Sequence, residues 1–253
     1  MPTPSDMSGK AALVTGAAAG LGKATALRLA RAGADICLVD IDAEALASAA
    51  AEVRALGVKA INQAIDLADV DNCRNAVAAA VQAFGRLDAL CNVAGVFLPT
   101  HFEQMNTPAW DKTLAVNLSA PFHLIQSAIP HLLEAHGAVV NVTSCAAHVG
   151  QAYNVAYSAT KAGLTQMTKA LAMEYIHKPI RFNAVAPGGM MTALAMAFRD
   201  LPDPDPSLLG RYSPLRGMVE VDDVAEMVAF LASDAARGYH GAVINIDNGI
   251  TAG

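Results

Sequence analysis

Residues 11–40 read AALVTGAAAGLGKATALRLARAGADICLVD. Two short apolar runs, AALVTG and DICLVD, flank a helix-like stretch, LGKATALRLARAGA, and a glycine-rich turn stands between the first run and the helix. Strands joined through a helix run parallel, because a tight hairpin can only join antiparallel ones. LVTG and ICLV are apolar at successive positions instead of alternating, which suits strands covered on both faces. The stretch predicts a βαβ unit in a buried parallel sheet.

The alternation continues outward. A helix through 42–56 precedes VKAINQAID, a helix through 70–85 precedes LDALCNVAG, and a long helical stretch from about 107 to 135 precedes AVVNVTS. A helix from about 154 to 177 leads to RFNAVAPGG, and one opening at Asp222–Asp223 leads to the final strand, AVINID. Seven strands with intervening helices predict an α/β fold, a doubly wound seven-stranded parallel sheet with helices on both faces. Residues 1–253 are expected to form one domain, with 1–8 a flexible N-terminal tail. Residues 189–215, GMMTALAMAFRDLPDPDPSLLGRYSPL, break the rhythm. Long insertions of this kind are functional loops or linkers. The Met, Leu and Phe content before residue 202 favours a packed lid over the substrate.

The bulk numbers exclude several classes of function. A composition of 54% hydrophobic and 16% charged residues favours a heavily buried sheet over a solvated interaction module. Net charge is −6 with no basic run, so no nucleic-acid surface is expected. Cysteines 37, 73, 91 and 145 are irregularly spaced and read as reduced, buried thiols of a cytoplasmic protein. MPTPSDMSGK lacks the apolar stretch of a secretory signal, and no apolar run approaches the roughly 18 residues that cross a membrane.

The turn TGAAAGLG, Thr15 to Gly22, carries glycines at 16, 20 and 22. They let the backbone turn tightly and let a pyrophosphate approach the N–H groups of the helix N-terminus. The other reading is a tight connection and nothing more. DICLVD ends on Asp40, eighteen residues after Gly22, where an acid can accept both ribose hydroxyls of NAD. NADP would need a cation for its 2′-phosphate, and neighbours Ala17, Ala19 and Ile41 supply none. A carboxylate against that phosphate costs several kcal/mol, a preference of about a hundredfold or more. NAD is the expected cofactor. Asp40 as a cap for the following helix is the competing reading.

YSATK places Tyr157 and Lys161 four apart, one turn from each other on one helix face. The ammonium there is expected to favour the phenolate and lower the tyrosine pKa from about 10. Such a phenol can exchange a proton with an alcohol or ketone. Ser144, thirteen residues earlier, would hold the same oxygen; of the five tyrosines only Tyr157 has both this serine and a lysine at +4. Tyr157 packed and Lys161 solvated at an ordinary helix start is the plain alternative.

With TGAAAGLG, Asp40, Asp66, NVAG (Asn92 to Gly95), Asn117, Ser144, YSATK and PGGMMT (Pro187 to Thr192) in this order, the chain from about Lys10 onward resembles the short-chain dehydrogenase/reductase family. The resemblance implies a Rossmann-type fold and a role for each position. Tyr157 would be the general acid/base, Lys161 would lower its pKa and bond the nicotinamide ribose, and Ser144 would orient the substrate oxygen. Asn117 would hold a water linking Lys161 to solvent. Gly16, Ala19, Gly20, Leu21, Gly22, Asp40 and Ile41 would contact the cofactor, with Asp66 and Leu67 at its adenine. Asn92, Ala94 and Gly95 would support the sheet and flank the ribose, and Pro187, Gly188, Met190 and Thr192 would border the nicotinamide. Two departures stand out: Val93 replaces a second Asn, and IDNG (Ile246 to Gly249) replaces Asp-Gly-Gly. A small apolar residue can pack at 93, and Asn tolerates the left-handed turn.

The implied activity is NAD-dependent interconversion of a secondary alcohol and a ketone on an apolar small molecule of steroid, terpenoid, cyclic or hydroxyacyl type. A 3-oxoacyl-carrier-protein reductase and a non-catalytic NAD-binding regulator are the alternatives. The first would want NADPH and a basic docking patch, and the intact Asn117, Ser144, Tyr157 and Lys161 argue against the second. Relatives assemble through the helices corresponding to 107–135 and 154–177, so a homotetramer is expected. The seven histidines show no metal-ligand spacing, and no metal is expected. Cys145 reads as pocket wall or packing, and His148, Gln151, Tyr153 and Asn154 as loop or substrate contacts.

Overall fold

The computed structural model describes residues 5–192, 194–210, 213 and 216–252. The seven strands are β1 (Ala11–Thr15), β2 (Asp35–Asp40), β3 (Ala60–Ala64), β4 (Ala89–Asn92), β5 (Ala138–Val142), β6 (Arg181–Pro187) and β7 (Val243–Ile246). They form one parallel sheet in the order β3-β2-β1-β4-β5-β6-β7. The chain reverses direction of travel across the sheet between β1 and β4. Open α/β sheets bind ligands at such a switch point, outside the carboxyl ends of the strands.

The helices are α1 (Gly20–Arg31), α2 (Ala43–Arg54), α3 (Val70–Phe84), α4 (Thr107–Leu114), α5 (Ala120–Ala135), α6 (Val155–Glu174), α7 (Pro206–Gly210) and α8 (Val221–Ala232). Side chains alternate across a strand, so β1 serves two cores. Ala12 and Val14 join Ile36 and Leu38 under α1, α2 and α8. Leu13 joins Cys37, Val39, Leu90 and Phe182 beneath α3 and α5. This explains why Ala11–Val14 of β1 and Ile36–Val39 of β2 are apolar at successive positions.

The long helical stretch of 107–135 is three pieces. A π-helical turn, Ala115–Ser119, joins α4 to α5 and carries Asn117. π-bulges often mark functional positions. The flexible tail expected over 1–8 does not extend to Met7, which is fully buried and whose N–H donates to the Ala32 carbonyl at 2.7 Å. An apolar side chain in a core slot and a satisfied amide hold the chain from there on. Residues 1–4 lie outside the described residues. The 189–215 segment holds a 3-10 turn, Leu194–Asp200, and α7. Of the expected lid, Ala193, Arg211, Tyr212, Pro214 and Leu215 lie outside the described residues. Among the described residues no helix is long and apolar enough to cross a membrane.

Candidate active site

A single cleft runs along the carboxyl edge of the sheet from the β1–α1 turn to the 189–198 segment. At its first end the walls are backbone. Gly16 has φ +68, and a Cβ there would stand 2.9 Å from Ala94 Cα. A Cβ on Gly22 would stand 1.9 Å from the Gly16 carbonyl oxygen, so α1 begins directly against the strand end. α2, α3 and α4 are capped by Asp42, Asp69 and Asn106, whereas Ala19 leaves α1 with no side-chain cap. Its first N–H groups are thus left for whatever the cleft holds. Gly16, Ala19, Gly20, Leu21 and Gly22 all line it.

Asp40 also lines the cleft. Its Oδ2 accepts from Ala18 N at 3.0 Å and its Oδ1 from Ile41 N at 2.7 Å. The cap of α2 is Asp42, which accepts from Ala45 N. Asp40 therefore does not cap the helix; it ties β2 to the glycine turn. Ile41 is 68% exposed, and Asp66 is exposed with a carboxylate accepting from Ala68 N. Leu67 is buried among the residues under α3. These three do not line the cleft.

In the middle, Thr15 Oγ1 accepts from both Val93 N and Ala94 N at 3.0 Å, fixing the start of the β4 loop. Ala94 and Gly95 line the cleft, while Asn92 is buried beneath it and donates to Asn141 Oδ1 at 2.8 Å. Val93 packs on the core, as a small apolar residue should. Asn117 is fully buried. Its Oδ1 accepts from Val96 N at 2.8 Å, and its Nδ2 donates to Val96 O and Thr160 Oγ1. It clamps the β4 loop to α6 from outside the cleft wall.

Tyr157, Lys161 and Ser144 meet on the cleft wall. The Lys161 ammonium lies 5.6 Å from the Tyr157 ring centre and donates to the Val142 carbonyl at 2.9 Å. The expectation that this lysine lowers the tyrosine pKa does not hold for the protein alone. Burial pushes the Tyr157 phenol up to about 12, against a hydrogen bond with Ser144 that pulls it down. Burial likewise pushes Lys161 down to about 8. Both shifts have one cause: a dry wall disfavours whichever form is charged.

The other end is made of side chains. Phe97 meets Tyr157 edge-on at 4.9 Å and Phe198 at 5.0 Å, so a lid residue is stacked through Phe97 onto the phenol. Tyr153, with φ +67, places its hydroxyl to accept from Asp205 N at 2.9 Å. Its ring meets His101 edge-on, and His101 Nε2 donates to the Pro202 carbonyl at 2.9 Å. Thr192 lies beside the glycine turn, its methyl 3.7 Å from where a Gly20 Cβ would be. Pro187, Gly188 and Met190 line the cleft below it.

A family model described as enoyl-(acyl carrier protein) reductase matches residues 16–251. The chain is 38% identical over 251 residues to 2,5-dichloro-2,5-cyclohexadiene-1,4-diol dehydrogenase LinX of Sphingobium indicum, covering 98% of each chain. It is 36% identical over 245 residues to 3-oxoacyl-(acyl-carrier-protein) reductase FabG of Thermotoga maritima, covering 96% of this chain and 98% of that one. The structure of a short chain dehydrogenase from Mycobacterium paratuberculosis bound to NAD superposes with a TM-score of 0.91 at 28% identity, over 98% of this chain and 100% of that one. The chain belongs to the short-chain dehydrogenase/reductase family.

Within this short-chain dehydrogenase/reductase cleft the sequence reading missed Phe97, Val142, Thr143 and Ile250. Phe97 had a signal, as the first aromatic after the NVAG turn. Ile250 had none: it arrives through the C-terminal turn, where Asn248 takes φ +52 and Gly249 φ +89. The IDNG turn thus keeps its left-handed shape. Cys145 is buried on the wall, its thiol raised by burial. Among the described residues no group of three or more His, Cys, Asp or Glu could hold a metal.

Proposed function

We propose that this protein is an NAD-dependent oxidoreductase interconverting a secondary alcohol and a ketone, with Tyr157 as general acid/base. The observation that carries it is the continuity of one cleft from an uncapped helix N-terminus and Asp40 to Ser144, Tyr157 and Lys161. The residues fit a dinucleotide. Side chains are absent at 16, 20 and 22, where a Cβ at 16 or 22 would collide with backbone, and helix N–H groups suit a pyrophosphate. Asp40 would accept from the adenosine ribose and repel a 2′-phosphate; the turn beside it offers no cation. A bound nicotinamide supplies or accepts the hydride. Asp66 and Leu67 at the adenine, Lys161 on the ribose and Thr192 at the carboxamide belong to this reading.

The protein's own part is holding an oxygen and moving a proton. Ser144 donates to the substrate oxygen; the neutral Tyr157 phenol gives its proton to a carbonyl, and in the reverse direction the Tyr157 phenolate takes the proton of the alcohol. With the phenol near 12 the site favours the acid form. Below about pH 11 the acid form is already fully populated, so reduction is expected to be flat through neutral pH, while oxidation, which needs the phenolate, quickens as pH rises. Asn117 keeps the β4 loop against α6, with Gly95 beside Lys161. The relatives' names, LinX as a cyclic diol dehydrogenase above all, support an apolar cyclic alcohol. The carrier-protein reductase reading is weaker because, among the described residues, the cleft's charged side chains are Asp40 and Lys161.

The test is NADH formation across an alcohol panel, with NADP in parallel and Tyr157→Phe as control. We expect turnover with NAD, a preference of about a hundredfold over NADP, and a loss of about 10²–10⁴-fold in kcat in the variant. NAD binding without turnover, or a fully active variant, sinks the reading. Cytoplasmic location is part of the proposal, as is a homotetramer. Phe122 on α5, and Val155, Met173 and Ile176 on or beside α6, are exposed apolar groups that suit such contacts. A monomer by light scattering at micromolar concentration would refute the tetramer.

A further inference from the structure

The substrate end of the cleft is walled by Phe97, Leu194, Phe198 and Ile250. Ser144 and Tyr157 serve the reacting oxygen. Two polar side chains, Gln151 and Asn154, also line the wall and have no part in that chemistry. Their hydrogen bonds run in one direction. Gln151 Nε2 donates to Cys145 Sγ at 3.5 Å, which leaves Gln151 Oε1 to accept from Asn154 Nδ2 at 3.0 Å. The chain ends on Asn154 Oδ1. That oxygen is buried in a residue only 3% exposed and has no hydrogen-bond partner.

A buried acceptor without a donor is unfavourable, and one that belongs to a side chain lining a cleft points to a donor that the cleft receives. Asn154 stands at the start of α6, three residues before Tyr157, so the helix fixes its distance from the reacting phenol. The amide torsion of Asn is soft, which lets Oδ1 turn toward a donor in the cleft. We infer that Asn154 Oδ1 receives a second hydroxyl of the substrate, so that the preferred substrate is an apolar cyclic diol and not a simple alcohol. This rests on the alcohol dehydrogenase reading above. A hydroxyl fits because it brings a proton; a ketone, ether or carboxylate at the same place sets oxygen against oxygen. Among the described residues the cleft's one cation, Lys161, donates to the Val142 carbonyl, so a carboxylate finds no free counter-charge there either.

The experiment compares kcat/KM with NAD for cyclohexanol, the 1,2-, 1,3- and 1,4-cyclohexanediols and 4-hydroxycyclohexanecarboxylate, in wild type and Asn154→Leu. We expect at least one diol to exceed cyclohexanol by about tenfold or more in wild type, with the carboxylate poorest. The diol-to-cyclohexanol ratio should collapse toward one in the variant, mainly through the diol's KM. A wild-type ratio at or below one for every diol, a carboxylate preferred over the diols, or a ratio that survives Asn154→Leu would overturn the inference. The wild-type ratios decide alone if the variant does not fold. Cyclohexanol oxidised without diol preference sinks only the second-hydroxyl site, whereas no NADH from any alcohol sinks the dehydrogenase reading with it.

Discussion

At the Gly16–Asp40 end of the cleft, backbone lies against backbone: Gly22 leaves no room for a Cβ beside the Gly16 carbonyl, and Asp40 is held by the amide of Ala18. At the Phe97–Phe198 end, side chains from separate loops lean on one another, with Phe97 between Tyr157 and Phe198, and Tyr153 and His101 bonded to the lid backbone. The first end is contiguous in sequence and tolerates almost no added atom. The second is assembled from residues 97–101, 144–157, 190–205 and 250, and each contact is a replaceable side chain. The lesson is a division of labour. A part that every substrate must share is built from backbone, and a part that selects among substrates is built from side chains.

The contrast can be broken most decisively at Gly22. Gly22→Ala should destabilise the fold by about 3 kcal/mol or more, because the new methyl meets a carbonyl that cannot give way. At this chain size that is about 10 °C in Tm. A variant melting within a few degrees of wild type, with NAD affinity intact, would show the first end to be no stiffer than the second.

Lys161, where the two ends join, tests the dryness of the wall. Its folded pKa of about 8 lies below the ordinary 10.5. Between those values the unfolded chain binds a proton that the folded one does not, so stability should rise with pH from about 8 to 10.5. The gain is on the order of 3 kcal/mol, about 1.4 kcal/mol for each of the roughly 2.5 pH units between them. Tyr157 acts oppositely: raised from 10 to about 12, it makes stability fall as pH climbs between them. Denaturant midpoints against pH should show the rise in wild type and lose it in Lys161→Met. A flat wild-type profile from 8 to 10 would mean that the ammonium is solvated.

The smallest effect is expected at the lid. Phe198→Ala removes the edge-on contact with Phe97, a kind of pair worth about 0.5–1.5 kcal/mol. KM for an apolar alcohol should rise up to about tenfold while Tm moves by no more than about 3 °C. A collapse of the fold instead would make the lid part of the core and erase the difference between the ends.

The sequence was most legible where one residue alone sets the local physics. Apolar runs at successive positions meant strands covered twice, and all seven strands are there. Asp40 could be placed in the cleft because it ends a strand next to a glycine turn. Asn92 and Asn117 were harder. Both belong to the site's neighbourhood, yet one braces the sheet through Asn141 and the other clamps Val96, and only packing separates a residue in a wall from one behind it. Ile41, Asp66 and Leu67 fall outside the cleft of the protein alone.

By itself the sequence determined what periodicity and backbone freedom dictate: the parallel sheet, the turn that needs glycine, the Tyr157–Lys161 face and the Asn-bearing turn at 248. Tertiary structure decided what depends on burial and on partners distant in the chain. It set Tyr157 up to about 12 and Lys161 down to about 8, because solvation is a property of surroundings that no spacing encodes. It also brought Phe97, Asn154, Phe198 and Ile250 to one cavity, since side-chain contacts between separate loops exist only once the sheet has fixed where those loops begin.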